Sequence, residues 1–261
     1  MPGLIQSIER SSAVLRLLAD GPGRLRVKQI ADALDLPKST AQSILRTLTH
    51  IGFAEQDPRT ARYRLGRALL DLSSTGLDAN ELRAHTLNWA DALASRSGEE
   101  VYVGALRAGP AGQGPELLVV HHVFRPDDSA QSMNTGRVLP AHATALGQVL
   151  LAYRVAAAED VLAAGLMAYT RGTVTTRQAL TRTLAATRAQ GWALSVEEWQ
   201  AGRAGIAAPV RTFGGLVVGA IGISGPVERL CDTRRQARPA LVEHVVAAGR
   251  AISRDLSGPQ P

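Results

Sequence analysis

The sequence predicts an α+β protein of two domains, and three observations carry that expectation. A chain of 261 residues is long enough for two separate cores. Residues 30–66 read as helix, tight turn, helix and basic hairpin, the outline of a winged helix-turn-helix. Beyond residue 98 the pattern changes to strands mixed with helices, with no internal repeat.

Composition allows this and narrows it. With 45% hydrophobic and 20% charged residues the chain has the balance of an ordinary globular protein, and its formal charge is +6. The excess is uneven: residues 1–76 hold 11 Lys and Arg against 7 Asp and Glu. The basic bias therefore falls on the helix-turn-helix. Lys28 and Lys38 are the only lysines, an arginine preference that fits a high-GC genome as well as phosphate binding.

The first helix is expected over residues 5–19, with Ile5, Ile8, Leu15 and Leu18 as its apolar stripe, stopped by Asp20-Gly21-Pro22-Gly23. Residues 24–27 can pair with the hairpin, and residues 27–34 form a helix with Ile30, Ala31 and Leu34 inward. In the next helix Ala41, Ile44, Leu45 and Leu48 fall at i, i+3, i+4 and i+7, one stripe toward a core. The opposite face is then set by geometry. It carries Ser39, Ser43, Arg46 and His50 flanked by Gln42 and Thr47, short hydrogen-bonding groups around a cation, which suits base edges and phosphates. A solvated helix face is the plain alternative.

Residues 53–65 offer two strands around Asp57-Pro58-Arg59-Thr60, a turn with Pro at its second position. In the return strand Ala61, Tyr63 and Leu65 take one side. Arg62 and Arg64 take the other, so with Arg59 at the tip the hairpin presents three guanidiniums toward a phosphate backbone. Arginine as edge protection is the rival reading. Together these assignments make Arg46 and Gln42 candidate base readers and Lys38, Arg59, Arg62 and Arg64 candidate phosphate contacts, with Ser39, Thr40 and Ser43 also in the DNA-facing set.

Residues 73–78 read as a junction. In residues 79–97 Leu82, Thr86, Trp89 and Leu93 recur at helical spacing, an amphipathic helix able to link two domains and pack on the second, with Trp89 and Leu93 shared between packing and a dimer contact. Further on, Val101, Val103 and Ala105 alternate as a strand, residues 109–115 form a Gly- and Pro-rich loop, and residues 117–124 a buried strand. Helices are expected over residues 142–153 and 176–190, and strands over residues 206–210 and 216–223. A terminal helix carries Leu241, Val245, Ala248, Ile252 and Leu256 as a stripe, with Pro239 in its first turn. The domains are thus residues 1–76, a linker helix over 77–97, and residues 98–261.

Several functions are excluded. There is no phosphate-binding loop, no dinucleotide-binding glycine motif after a first strand and no nucleophile elbow. Glu197 and Glu198 are neighbours rather than a spaced acid/base pair, and His121 and His122 diverge on a strand with no acid at metal-ligand spacing. The chain is therefore expected not to be an enzyme and to need no cofactor. Cys231 is the single cysteine, so no internal disulfide forms. A redox role for that thiol, among nearby arginines, is one alternative function; a winged helix that binds protein is another. No signal peptide or membrane span is read, which points to the cytoplasm.

Five stretches carry a resemblance: residues 5–19 (IQSIERSSAVLRLLA), 36–66 (LPKSTAQSILRTLTHIGFAEQDPRTARYRLG), 139–152 (LPAHATALGQVLLA), 190–210 (QGWALSVEEWQAGRAGIAAPV) and 214–226 (GGLVVGAIGISGP). In this order and over nearly its whole length the chain resembles the IclR family of bacterial transcription factors. The resemblance implies a winged helix-turn-helix domain, a linker helix and a GAF-like α/β effector domain, assembled as a homodimer or dimer of dimers. It also implies binding to a double-stranded DNA operator, as repressor or activator, under control of a small-molecule effector.

Carried over position by position, the family's pocket falls on Leu139, Ala145, Leu146, Ser195, Gly205, Gly222 and Ser224, and Ala143 and Thr144 join it as the residues at the start of the helix. Residues that lead into a helix whose first N–H groups lack intrahelical partners suit a carboxylate. Where relatives that bind small keto acids have an acid, a cysteine and a serine, this chain has Ser195, Gly205 and Gly222. A roomier, less polar pocket is expected, fit for an organic acid with an apolar, for instance aromatic, body. For the glycines at 214, 215, 219, 222 and 225, a twisted strand without a ligand is the competing explanation.

Overall fold

A computed structural model describes residues 6–20, 24–66, 68, 79–110, 113–127, 130–212 and 214–257. The junction at residues 73–78, Ile5 and the Gly21-Pro22-Gly23 stop lie outside the described residues. The chain divides into two compact units, residues 1–76 and 77–261.

The N-terminal unit holds helices α1 (Gln6–Asp20), α2 (Val27–Ala33) and α3 (Lys38–His50), then a hairpin of β1 (Ala54–Gln56) and β2 (Tyr63–Leu65). Leu25 bridges to Tyr63, with Tyr63 N–H donating to the Leu25 carbonyl at 2.7 Å and Leu25 N–H to the Tyr63 carbonyl at 3.0 Å. The expected strand over residues 24–27 is thus one bridge, because α2 begins at Val27. Its core gathers Val14, Leu18, Leu25, Ile30, Leu45, Leu48, Ala54 and Tyr63. Helix α1 is turned from its expected phase. Val14 and Leu18, one turn apart, are buried, whereas Ile8 is 64% exposed and Leu15 only packs at the edge. The α3 stripe lies as expected, with Ala41, Leu45 and Leu48 buried and Ile44 half-buried.

The C-terminal unit is a six-stranded antiparallel sheet in the order β5-β4-β3-β8-β7-β6. Its strands are β3 (Glu100–Arg107), β4 (Glu116–Val123), β5 (Val138–Leu139), β6 (Ala193–Val196), β7 (Arg203–Arg211) and β8 (Val217–Pro226). One face is covered by α4 (Ala79–Ser97) and α9 (Pro239–Asp255), whose Leu82, Ala90, Leu93, Val245 and Ile252 pack on Val101, Val103, Ile206, Ile221 and Ile223. The other face is covered by α5 (Ala145–Tyr153), through Ala145, Leu146, Val149 and Leu150 against Leu117, Ala207, Val217 and Ala220. Helices α6 (Val155–Ala164) and α7 (Arg177–Gln190) complete that side, and the short α8 (Val227–Leu230) follows β8.

Three expectations are corrected here. Helix α5 starts at Ala145 rather than near residue 142, because Thr144 caps it: its Oγ1 accepts from Gly147 N–H at 3.3 Å and holds residue 144 in extended backbone. Leu93 is 2% exposed within the sheet core, so it packs and offers no surface for a dimer contact. Helix α6 and the short strands β5 and β6 went unread, since an Ala-rich decapeptide and strands of two and four residues carry too little periodicity to stand out.

Candidate functional site

Two sites stand out, one in each unit. On the N-terminal unit, burial of Ala41, Leu45 and Leu48 turns Lys38, Ser39, Gln42, Ser43 and Arg46 to solvent, with Thr40 half-buried beside them. The wing is built by Asp57. Its Oδ1 accepts from the N–H groups of Arg59 at 2.9 Å and Thr60 at 3.2 Å, and these bonds hold its carboxyl below the usual range. Arg59 and Arg62 are exposed. Arg64 is also exposed but tied to its cross-strand neighbour: Nη2 and Nε donate to Glu55 Oε2 at 2.7 and 3.0 Å. Ala61, expected on the inner side with Tyr63, is exposed, because its φ of +53° ends the turn out of strand conformation.

In the C-terminal unit a cavity of about 370 Å³ opens over the N-terminus of α5. Leu139, Ala143, Thr144, Ala145, Leu146, Ser195, Gly205 and Ser224 all line it. Gly222 does not reach it. A Cβ there would lie 2.4 Å from the Ile206 carbonyl oxygen and 2.9 Å from Ala207 Cβ, so this glycine serves the close approach of β7 to β8. At Gly205 the added Cβ would meet only ordinary contacts, Ala145 Cβ and the Ile223 oxygen at 3.5 Å, and a longer side chain would extend into the cavity.

The lining is more polar than expected, because positions outside the transferred set supply charge. Arg203, at the start of β7, donates to Glu100 Oε2 at 2.6 Å and to Ser224 Oγ at 3.3 Å. Tyr102 donates to the same Glu100 oxygen at 3.1 Å and accepts from Asn134 Nδ2 at 2.9 Å, and Arg137 donates to Asn134 Oδ1 at 2.7 Å. Burial, with the adjacent Glu100 carboxylate, pushes the Tyr102 phenol well up, so it stays a neutral donor. Across the cavity Ser195 Oγ donates to the Ala143 carbonyl at 3.2 Å, Glu198 accepts from Gln148 Nε2 at 2.9 Å, and burial raises the Glu198 carboxyl. Trp199 joins the lining, its ring edge-on to Tyr169 at 4.6 Å. At the start of α5 the N–H groups of Ala145 and Leu146 have no intrahelical acceptor. The site can therefore hold a small molecule with an anionic group, hydroxyls and an apolar part.

Residues 7–58 match the IclR helix-turn-helix domain, and residues 74–254 match the bacterial transcriptional regulator IclR C-terminal domain. The chain belongs to the IclR family. It is 50% identical over 252 residues to the glycerol operon regulatory protein of Streptomyces coelicolor, covering 97% of this chain and 96% of that protein. It is 31% identical over 258 residues to the transcriptional regulator XynR of Escherichia coli, covering 98% and 99%. Among solved structures, an IclR homolog complexed with 4-hydroxybenzoate from Microbacterium hydrocarbonoxydans superimposes with a TM-score of 0.59 at 26% identity, covering 96% and 99%. As an IclR-family member the protein is a transcriptional regulator with a DNA-binding helix-turn-helix, and its relatives are regulators rather than enzymes.

The rival features fit this reading. Cys231 is 2% exposed, and burial raises its thiol, the opposite of the lowered thiol a redox sensor needs. His122 packs its ring 4.5 Å from that of Tyr102, and its Nδ1 accepts from Asn134 N–H at 3.4 Å. Among the described residues no group of three or more His, Cys, Asp or Glu could hold a metal, and no helix is long and apolar enough to cross a membrane. The polar and aromatic cavity residues that sequence reasoning missed include Glu100, Tyr102, Asn134, Glu198, Trp199 and Arg203. Arg203 was findable: a half-buried arginine opening an otherwise apolar strand needs a partner.

Proposed function

We propose that this IclR-family regulator binds a symmetric operator as a homodimer or dimer of dimers and that a small organic acid in the C-terminal cavity sets its DNA affinity. The exposed face of α3 supports the first part. Its exposure supports Arg46 and Gln42 as base readers, with Lys38, Ser39, Thr40 and Ser43 beside them, and the wing arginines as phosphate contacts. Arg46→Ala is expected to cost about 1 to 3 kcal/mol at the cognate operator and to relax preference at one base position. A gel shift on the region upstream of its own gene checks this, and the stoichiometry of the shifted band reports two or four copies. Unchanged binding by Arg46→Ala would mean the recognition face is misassigned.

The observation that carries the second part is the cavity at the start of α5, where free N–H groups supply an anion site and Leu139, Leu146, Ile223 and Trp199 supply apolar wall. The 4-hydroxybenzoate complex of the Microbacterium homolog supports an aromatic acid. The glycerol operon for which the Streptomyces relative is named, together with the polar wall around Arg203 and Ser224, supports a polyol phosphate as a second reading. Gly205→Leu, which grows into the cavity, should weaken any effector found by thermal shift in a panel of aromatic acids, aliphatic acids and glycerol 3-phosphate by at least about tenfold. No shift with any of them, or undiminished binding by Gly205→Leu, would sink the cavity assignment.

A further inference from the structure

On the reading that the cavity binds an organic anion, we propose that Glu198 selects effectors carrying a hydroxyl group, so that the ligand class is a hydroxylated organic anion. The anionic group lies at the first turn of α5, and the hydroxyl donates to Glu198.

The unusual feature of Glu198 is its company. It lines the cavity and is 7% exposed, yet among the described residues no ion pair reaches it. Its Oε2 accepts from Gln148 Nε2 at 2.9 Å, and that same nitrogen also donates to the His142 carbonyl at 3.0 Å. Gln148 is fully buried, and its Oε1 has no partner among the described residues. The backbone is locked as well, since Thr173 Oγ1 donates to the Glu198 carbonyl at 2.6 Å. The carboxyl therefore cannot swing out to water without breaking the bond to Gln148.

A buried carboxylate has about four lone-pair directions, and the donors beside Glu198, Gln148 with Ser195 and the Val174 N–H, do not offset its lost hydration, since burial still raises the carboxyl. A ligand hydroxyl is a further donor for such a group. A carboxylate, phosphate or bare hydrocarbon brought to the same point would instead meet repulsion or leave the acceptor unpaired. Sites built to bond a hydroxyl reject the analogue without it far more strongly than apolar pockets reject an extra group. The other acid of the lining, Glu100, is already engaged by Arg203 and Tyr102. That leaves Glu198 as the acid of the lining with no cation paired to it among the described residues.

Calorimetric titration of the full chain with three matched pairs tests this: 4-hydroxybenzoate and benzoate, glycerate and propionate, glycerol 3-phosphate and propyl phosphate. In whichever pair binds, the hydroxylated member should bind at least tenfold more tightly. Glu198→Met, similar in length but without acceptor oxygens, should reduce that preference below threefold, and Glu198→Gln, which keeps one acceptor oxygen, should fall between. Equal affinity within a pair, or full preference retained in Glu198→Met, overturns the role of Glu198 while leaving the cavity assignment standing. Absence of binding by all six compounds overturns the cavity assignment and this inference with it. The comparison within wild-type protein needs no variant to fold.

Discussion

Gly147→Ala is expected to destabilise the C-terminal unit by about 3 kcal/mol, although the same exchange inside an exposed helix normally stabilises by about 1 kcal/mol. The sign reverses because an added Cβ would lie 2.2 Å from the Ala141 carbonyl oxygen and 2.5 Å from its Cα. Neither side can yield cheaply. Gly147 is held by the Thr144 cap, and residues 141–144 are buried, with Ala143 and Thr144 part of the cavity wall. The chain's three tryptophans, Trp89, Trp192 and Trp199, all fall in residues 77–261, so fluorescence-detected urea unfolding reports this unit. A midpoint equal to or above that of the parent would show that the residue 141 loop is not packed on α5 as described.

The wing carries the second large effect. Simultaneous replacement of Arg59, Arg62 and Arg64 by alanine should weaken cognate and unrelated DNA alike. Three independent phosphate contacts would lower the slope of log K against log salt by about 2.7. Because Arg64 is already paired with Glu55 on the adjacent strand, a fall nearer about 2 is expected, equivalent to roughly 100-fold weaker binding at 0.1 M salt and little difference near 1 M. Anisotropy titrations on labelled duplexes at four or five salt concentrations measure both quantities. A loss confined to the cognate sequence, or a slope unchanged by the triple replacement, would remove the wing from the phosphate-binding surface.

What was readable in the sequence follows from how local each signal is. The inner and outer faces of α3 were legible because four apolar residues at helical spacing leave only one arrangement. The phase of α1 was legible only in part, because Leu18 fits a stripe with Ile8 and Leu15 as well as one with Val14, and only packing against the rest of the unit chooses between them. Gly205 and Gly222 look alike in sequence. The first faces open volume and the second a neighbouring strand, a difference that appears only once the strands are packed.

Glu198 was hidden by a subtler effect. Extending the alternation of β6 past Ser195 would send Glu197 inward, but Glu197 takes a φ of +56°, breaks the period and leaves its carboxylate outside to pair with Arg235. Glu198 turns in as a result. The polar chain from Ser224 through Arg203, Glu100, Tyr102 and Asn134 to Arg137 joins residues more than a hundred positions apart, a proximity no local pattern encodes.

That chain of hydrogen bonds has an evolutionary consequence. Its members sit on three strands and a long loop, and the acceptor opposite them follows a fourth strand, so the selectivity proposed for this cavity would be spread over residues 100–224 with no contiguous motif to exchange. A duplicated copy of this gene would acquire a new inducer most readily by scattered single changes around a preserved scaffold, such as a glycine filled or an acid neutralised. The side chains proposed to read DNA, within residues 38–64, could meanwhile drift toward a new operator on their own schedule. Sensing and addressing are thus separable characters, inherited side by side on one polypeptide.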